Sequence, residues 1–156
     1  MQEIFGDLFE SERADTIGIL TNGCVNNGVA VMGRGCAAKA KFLWPGVQMT
    51  LGKAIRDGGN HVHLLTEVAP NIADGGYTRQ LPNWGLYPAH PVPYHVFSFP
   101  TKEHWKDPSP LELVIRSAQE LLALADHMKW ESIVNGRPGC GLGHLSWTET
   151  VRPALS

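Results

Sequence analysis

Gly136-Arg137-Pro138-Gly139-Cys140-Gly141-Leu142-Gly143 follows the β-branched run Ser132-Ile133-Val134 and precedes Ser146-Trp147-Thr148-Glu149. The Ser146…Glu149 pair has capping-box spacing, so the reading is strand, glycine loop, helix start. Such a loop lets backbone N–H groups approach an anion closely, and a helix N-terminus adds a favourable dipole. A second glycine-rich connection, residues 22–35, also lies between a strand and a helix. Two loops of this kind predict a site that grips a phosphate-bearing ligand from both sides.

The same alternation continues along the chain. Thr16-Ile17-Gly18-Ile19-Leu20-Thr21 reads as a strand buried on both faces. Cys36-Ala37-Ala38-Lys39-Ala40-Lys41-Phe42-Leu43 is a good helix stopped by Pro45-Gly46, and a second helix is expected over 48–56. His61 to Leu65 and Tyr94 to Phe99 read as strands, the latter halted by Pro100. Ser109 is expected to cap the next helix, with Pro110 in its first position and Glu112 completing a capping box. Its apolar stripe runs Leu111, Val114, Ile115, Ala118, Leu121, Leu122, Ala125 and Met128. Ile4 to Phe9 reads as a short opening strand with a turn. Alternating strands and helices imply an α/β layered fold around a parallel or mixed sheet. Residues 68–93 break the pattern: they are rich in proline and glycine, without periodicity. Such an insertion is either a binding loop or a surface excursion, with Tyr77, Trp84 and Tyr87 stacking on a base or packing onto the body.

The 156 residues fit one domain with a sizeable core. A net charge of −2 gives no overall basic field toward nucleic acid or membrane, so any such contact is local. Arg34, Lys102, Lys106 and Arg137 could supply a local patch. No apolar run reaches spanning length and Met1-Gln2-Glu3 lacks a signal-peptide pattern, so a cytoplasmic chain without membrane contact is expected. Cys24, Cys36 and Cys140 form no framework and read as reduced thiols packed beside the glycine loops.

Several familiar chemistries are poorly matched. Gly33-Arg34-Gly35-Cys36-Ala37-Ala38 fits the dinucleotide fingerprint but starts a dozen or so residues after Leu20, and no acidic residue ends the next strand. The 136–143 loop lacks the Lys-Ser/Thr ending of a P-loop, and no G-x-S-x-G elbow is present. His61 and His63 share a strand face, yet no third ligand stands near them, so no metal is expected. Lys102 stands apart. It follows an apolar strand between Pro100 and Trp105, where a partly desolvated lysine can act as a nucleophile toward a carbonyl-type or anomeric carbon; closing the strand as an ordinary surface lysine is the alternative. Asn22, Lys102 and Gly139 each lie just past an expected strand end, around one crevice.

Gly6-Asp7-Leu8-Phe9, Thr21-Asn22, Val31-Met32-Gly33-Arg34-Gly35-Cys36-Ala37, Phe99-Pro100-Thr101-Lys102-Glu103-His104-Trp105 and Gly139-Cys140-Gly141-Leu142-Gly143-His144-Leu145-Ser146-Trp147 resemble, in that order, the macrodomain family. The nearest likeness is to the branch of DarG-type antitoxin macrodomains and related terminal ADP-ribose glycohydrolases. The resemblance spans nearly the whole chain. It implies a single three-layer α/β/α macrodomain over 1–156 with a central mixed sheet, binding ADP-ribose and needing no cofactor. Asp7 would accept from the adenine amino group, with Leu8 beside it. Asn22 and Gly33, Arg34, Gly35 and Cys36 would line the distal ribose and phosphates, with Thr101 nearby. Gly139, Cys140, Gly141, Leu142 and Gly143 would wrap the pyrophosphate. Lys102 matches the lysine held in this branch to act at the anomeric carbon of the distal ribose. The implied activity is removal of ADP-ribose from thymine bases in DNA; a non-catalytic reader and an ADP-ribose 1″-phosphate phosphatase are the alternatives. Some relatives place an aspartate where this chain has Gly143, which leans away from acidic side-chain linkages. A monomer is expected, with ADP-ribosylated DNA and a cognate ADP-ribosyltransferase toxin as further partners.

Overall fold

The computed structural model describes residues 2–3, 6–10, 16–71, 76–80, 84 and 95–156. Among the described residues seven strands and four α-helices follow in order: β1 (Thr16–Asn22), β2 (Val25–Asn26), β3 (Val29–Ala30), α1 (Gly35–Leu43), α2 (Val47–Gly58), β4 (His63–Leu64), β5 (Glu67–Asn71), β6 (Gly76–Gln80), β7 (His95–Lys102), α3 (Leu111–Met128) and α4 (Arg152–Leu155). A 3₁₀ turn covers Leu8–Glu10, and a π-helical turn, Trp147–Val151, leads into α4.

β7 is the centre of a mixed sheet, parallel to β1 on one side and antiparallel to β4 on the other. Register explains the layering. Ile17 faces Val96 across the β1–β7 pair and Ile19 faces Ser98; Gly18 faces Phe97 and Leu20 faces Phe99. Successive residues point to opposite faces. Ile17, Ile19 and Val96 therefore join Ala37, Ala40, Trp44, Val47 and Leu51 of the α1–α2 side in one core. Phe97 and Phe99 join Val114, Leu121 and Val151 in a second. A sheet buried on both faces between helices is the three-layer α/β/α arrangement.

Several sequence expectations shift. β7 runs through Pro100 to Lys102, because β4 pairs only with Phe97 and Ser98 and leaves the edge at Pro100 without a ladder partner on that side. The Pro100 carbonyl accepts instead from Ser117 Oγ at 2.7 Å. This contact turns the buried side of α3 to Leu113, Val114, Ser117 and Leu121, and leaves Leu122 exposed. Ser109 does not cap α3: Pro110 holds the cap position with no side-chain bond, since Ser109 is buried under the 139–143 loop. The expected strand at 132–134 reduces to one parallel bridge, Val134 to Ile17. Of the opening strand, Ile4 and Phe5 lie outside the described residues, and Leu8 and Phe9 are in the 3₁₀ turn. The irregular segment contains an antiparallel pair, β5 with β6, which includes Pro70. Tyr87 lies outside the described residues. Trp84 packs onto the body, 5.7 Å from the Trp44 ring, with Nε1 donating to Thr50 Oγ1 at 3.0 Å.

The upstream glycine connection is itself ordered. β2 and β3 form a small hairpin whose turn residues, Asn27 and Gly28, both have positive φ, as a tight hairpin turn requires. α2 packs so closely on it that a Cβ at Gly52 would lie 2.4 Å from the Gly28 carbonyl oxygen.

Candidate functional site

A cleft of about 510 Å³ opens at the carboxyl ends of β1 and β7. Its floor is the paired strand ends, Leu20 to Asn22 against Thr101 and Lys102, where a register shift places Asn22 opposite Lys102. One wall is Val31 to Ala37, and the other is Arg137, Gly139 and Gly141 to Gly143. Strands that end together under two loops are the geometry in which open α/β sheets hold ligands.

The upstream wall ends at the start of α1. Arg34 is the cap residue, extended and without a side-chain cap bond, so the N–H groups of Gly35, Cys36 and Ala37 have no acceptor within the helix. All three residues line the cleft. Asn22 braces this wall: its Nδ2 donates to the Val31 carbonyl at 3.0 Å and its Oδ1 accepts from Cys24 N–H at 2.9 Å.

The downstream wall turns its carbonyls inward. Leu145 N–H donates to Gly139 O (2.9 Å), His144 N–H to Gly141 O (3.1 Å) and Ser109 N–H to Gly143 O (3.0 Å). Among the described residues no acceptor takes the N–H groups of Gly141, Leu142 or Gly143. Both walls therefore carry N–H donors without an acceptor among the described residues, a pattern suited to an anion.

Lys102 bridges the cleft floor and the downstream wall. Its Nζ donates to Leu142 O at 2.9 Å and to Trp105 O at 3.2 Å. Arg34, Lys102 and Arg137 line the cleft, and among the described residues no carboxylate does. Arg137 is held by Glu3 at 2.9 Å and lies 5.2 Å over the Trp147 ring. Lys106, grouped with them on sequence, does not line the cleft.

Three expected site residues fall outside the lining. Asp7 accepts from Phe9 N–H at 2.9 Å and pairs with Lys39 of α1, and neither it nor Leu8 reaches the cleft. Cys140 packs on the second core with its thiol donating to Pro138 O. Burial pushes the Cys140 thiol up, against a smaller opposing pull from Arg137. Burial likewise pushes up the Cys36 thiol, partly countered by its contact with the Leu20 backbone. A raised thiol is a poor nucleophile, which matches packing roles. Met32 and Trp105 line the cleft but are absent from the residues expected to bind there, and Arg137, expected only in a basic patch, lines it too. Trp105 had a local signal, standing three positions beyond Lys102 in the same loop. His61 pairs with Glu120 at 2.7 Å and His63 with Gly59 O at 2.8 Å; no cluster fit for a metal occurs among the described residues.

No family model matches the chain. It is 29% identical over 123 residues to a DNA ADP-ribosyl glycohydrolase of Thermus aquaticus, spanning 79% of this chain and 29% of that protein. A protein of the same name from Mycobacterium tuberculosis is 27% identical over 151 residues, 97% of this chain and 36% of its own length. The chain thus spans about a third of the curated relatives it matches. Among solved structures, the macrodomain of Mycobacterium tuberculosis DarG superposes with a TM-score of 0.67 at 25% identity, covering 96% of this chain and 83% of that one. The macrodomain of Thermus aquaticus DarG gives 0.66 at 26%, covering 97% and 87%. Thermosipho africanus DarTG in complex with ADP-ribose gives 0.70 at 23%, covering 96% and 36%.

Proposed function

We propose, for a chain that is a macrodomain, that the cleft binds ADP-ribose and that Lys102 cleaves it from ADP-ribosylated thymine bases in DNA. In support, similar proteins are named DNA ADP-ribosyl glycohydrolases, and one similar structure is a complex with ADP-ribose. In this reading residues 1–156 act as one unit. The N–H groups at the start of α1 and those of Gly141 to Gly143 hold the phosphates, and Asn22 and Gly33 face the distal ribose. Asp7, paired with Lys39 outside the cleft lining, would take the adenine amino group. A cognate ADP-ribosyltransferase toxin is the further partner this reading implies.

The observation that carries the chemistry is the tether on Lys102 Nζ. A neutral amine has two N–H bonds and one lone pair. The Leu142 and Trp105 carbonyls accept two Nζ hydrogens, so in the uncharged amine the lone pair is the position left for an electrophile. Nζ attacks the anomeric carbon; the glycosidic bond breaks with its electron pair going to the base, which takes up the proton that Nζ loses. Water then hydrolyses the lysine–ribose bond, releasing ADP-ribose and restoring the amine. Among the described residues no carboxylate lines the cleft to protonate a leaving group. That suits a base whose departing charge is spread over an imide.

The test is release of ADP-ribose from an ADP-ribosylated thymine oligonucleotide. Wild type is expected to release it, and Lys102→Arg at least about a hundredfold more slowly, since an arginine is never deprotonated. Equal rates would remove Lys102 from the chemistry. Calorimetry with ADP-ribose separates a reader, which binds without release, from a cleft that does not bind at all.

A further inference from the structure

Five large apolar side chains stand exposed among the described residues: Phe42, Met49, Trp105, Leu122 and Leu142. Only Trp105 and Leu142 line the cleft, at 53% and 50% exposure. These are also the two residues whose carbonyls hold Lys102 Nζ, at 3.2 and 2.9 Å. The carbonyls therefore lie no farther apart than those two distances together allow. The two exposed apolar residues of the cleft are thus the ones whose backbones hold the lysine amine, one from each loop.

Exposure of apolar surface at such a spot needs a reason, because each group costs free energy in water and neither is required for the core. The indole is also held in place. His104 tilts against it with ring centroids 5.5 Å apart, and the His104 Nδ1 is fixed by Lys106 N–H at 3.3 Å. A supported, half-open aromatic face is a stacking platform, and its natural occupant is flat.

We propose that Trp105 and Leu142 form the subsite for the group that departs from the anomeric carbon, and that this subsite selects a planar nucleobase over a flexible carboxylate side chain. The inference rests on the reading of the cleft as an ADP-ribose glycohydrolase site, and adds to it the origin of leaving-group preference. A base lies against the indole with Leu142 across from it, its glycosidic carbon beside Nζ. An acidic side chain offers no aromatic face to stack on the indole.

Binding tests this without relying on turnover. In the Lys102→Arg background, which keeps donors for both carbonyls, the ligands are ADP-ribose, an ADP-ribosylated thymine oligonucleotide and an ADP-ribosylated glutamate peptide. The oligonucleotide is expected to bind about tenfold or more tighter than the peptide, in the range for one stacked base. Adding Trp105→Ala should reduce that ratio to within about twofold, and Trp105→Phe should restore most of it. Leu142→Ala should reduce it in part. The proposal is overturned if oligonucleotide and peptide bind alike in the parent, or if Trp105→Ala weakens both equally. Failure of ADP-ribose itself to bind would instead refute the reading of the cleft, and the subsite with it.

Discussion

Gly143 and Ser109 are packed so that no side chain fits between them: a Cβ on Gly143 would lie 2.2 Å from Ser109 Oγ. The same atom would lie 2.5 Å from the Gly139 carbonyl oxygen, while Ser109 N–H bonds to the Gly143 carbonyl at 3.0 Å. Gly139 supports this with φ of +76°, a backbone conformation that favours glycine. The missing carboxylate at position 143 is thus a packing requirement of this loop as well as a difference in chemistry.

Gly143→Ala is therefore expected to displace the downstream wall, lowering stability by about 1–3 kcal/mol. ADP-ribose affinity should fall about tenfold. Adding Ser109→Gly should not rescue it, because the Gly139 carbonyl remains in the way. Calorimetry and thermal unfolding report the two effects; affinity within twofold of wild type would contradict this packing.

Lys102→Ala and Lys102→Arg should behave differently in binding. Alanine removes both contacts from Nζ to the loops, so ADP-ribose affinity should drop about three- to tenfold along with turnover. Arginine keeps donors at that position, so binding should stay near wild type while turnover is lost. Identical affinities for the two variants would show that the tether does not order the walls.

Trp84→Ala should be among the costliest core changes. The side chain is buried against Trp44, bonds Thr50, and its carbonyl accepts from Gly46 N–H at 2.8 Å at the start of α2. A loss of about 3–5 kcal/mol is expected. For a chain of this length that is roughly a 10 °C fall in Tm, measurable by calorimetric scanning.

Glu120 sets a pH dependence. Burial alone would raise its carboxyl, but the Val62 N–H, His61 and Arg116 outweigh it and hold it below the usual 4.5. A depressed carboxyl gives stability that is present above about pH 4.5 and lost as pH falls through the lowered value. Urea unfolding of wild type and Glu120→Gln should differ most above that pH and converge in stronger acid. A difference that grows on acidification would reverse the sign and refute the assignment.

The local parts of the fold are legible in the residues themselves. α1 and α2 follow from good helix formers bounded by Pro45-Gly46 and Gly58-Gly59, and Asn22 with Lys102 from their places after apolar runs. Pairing is another matter. That β7 continues through Pro100 depends on where β4 stops, and that 132–134 shrinks to one bridge depends on β1; neither fact is written near those residues. Ser109 has the chemistry of a cap, yet the 139–143 loop claims its position. Asp7 sits within Lys39's reach once α1 is in place, which spacing along the chain cannot reveal. Trp105 was readable only as a neighbour of Lys102; its role at the cleft follows from exposure, a property of the folded surface.

The close seating of the β2–β3 turn on Gly52 has a consequence for recognition. Gln48 of the same helix donates to the Ala30 carbonyl at 3.1 Å, so the upstream wall is fastened to α2 before any ligand arrives. Little conformational freedom remains there to be lost on binding, and more of the contact energy appears as affinity. A bulkier residue at position 52, which does not itself line the cleft, should thus slow association and weaken binding by leaving that wall to be ordered at each encounter.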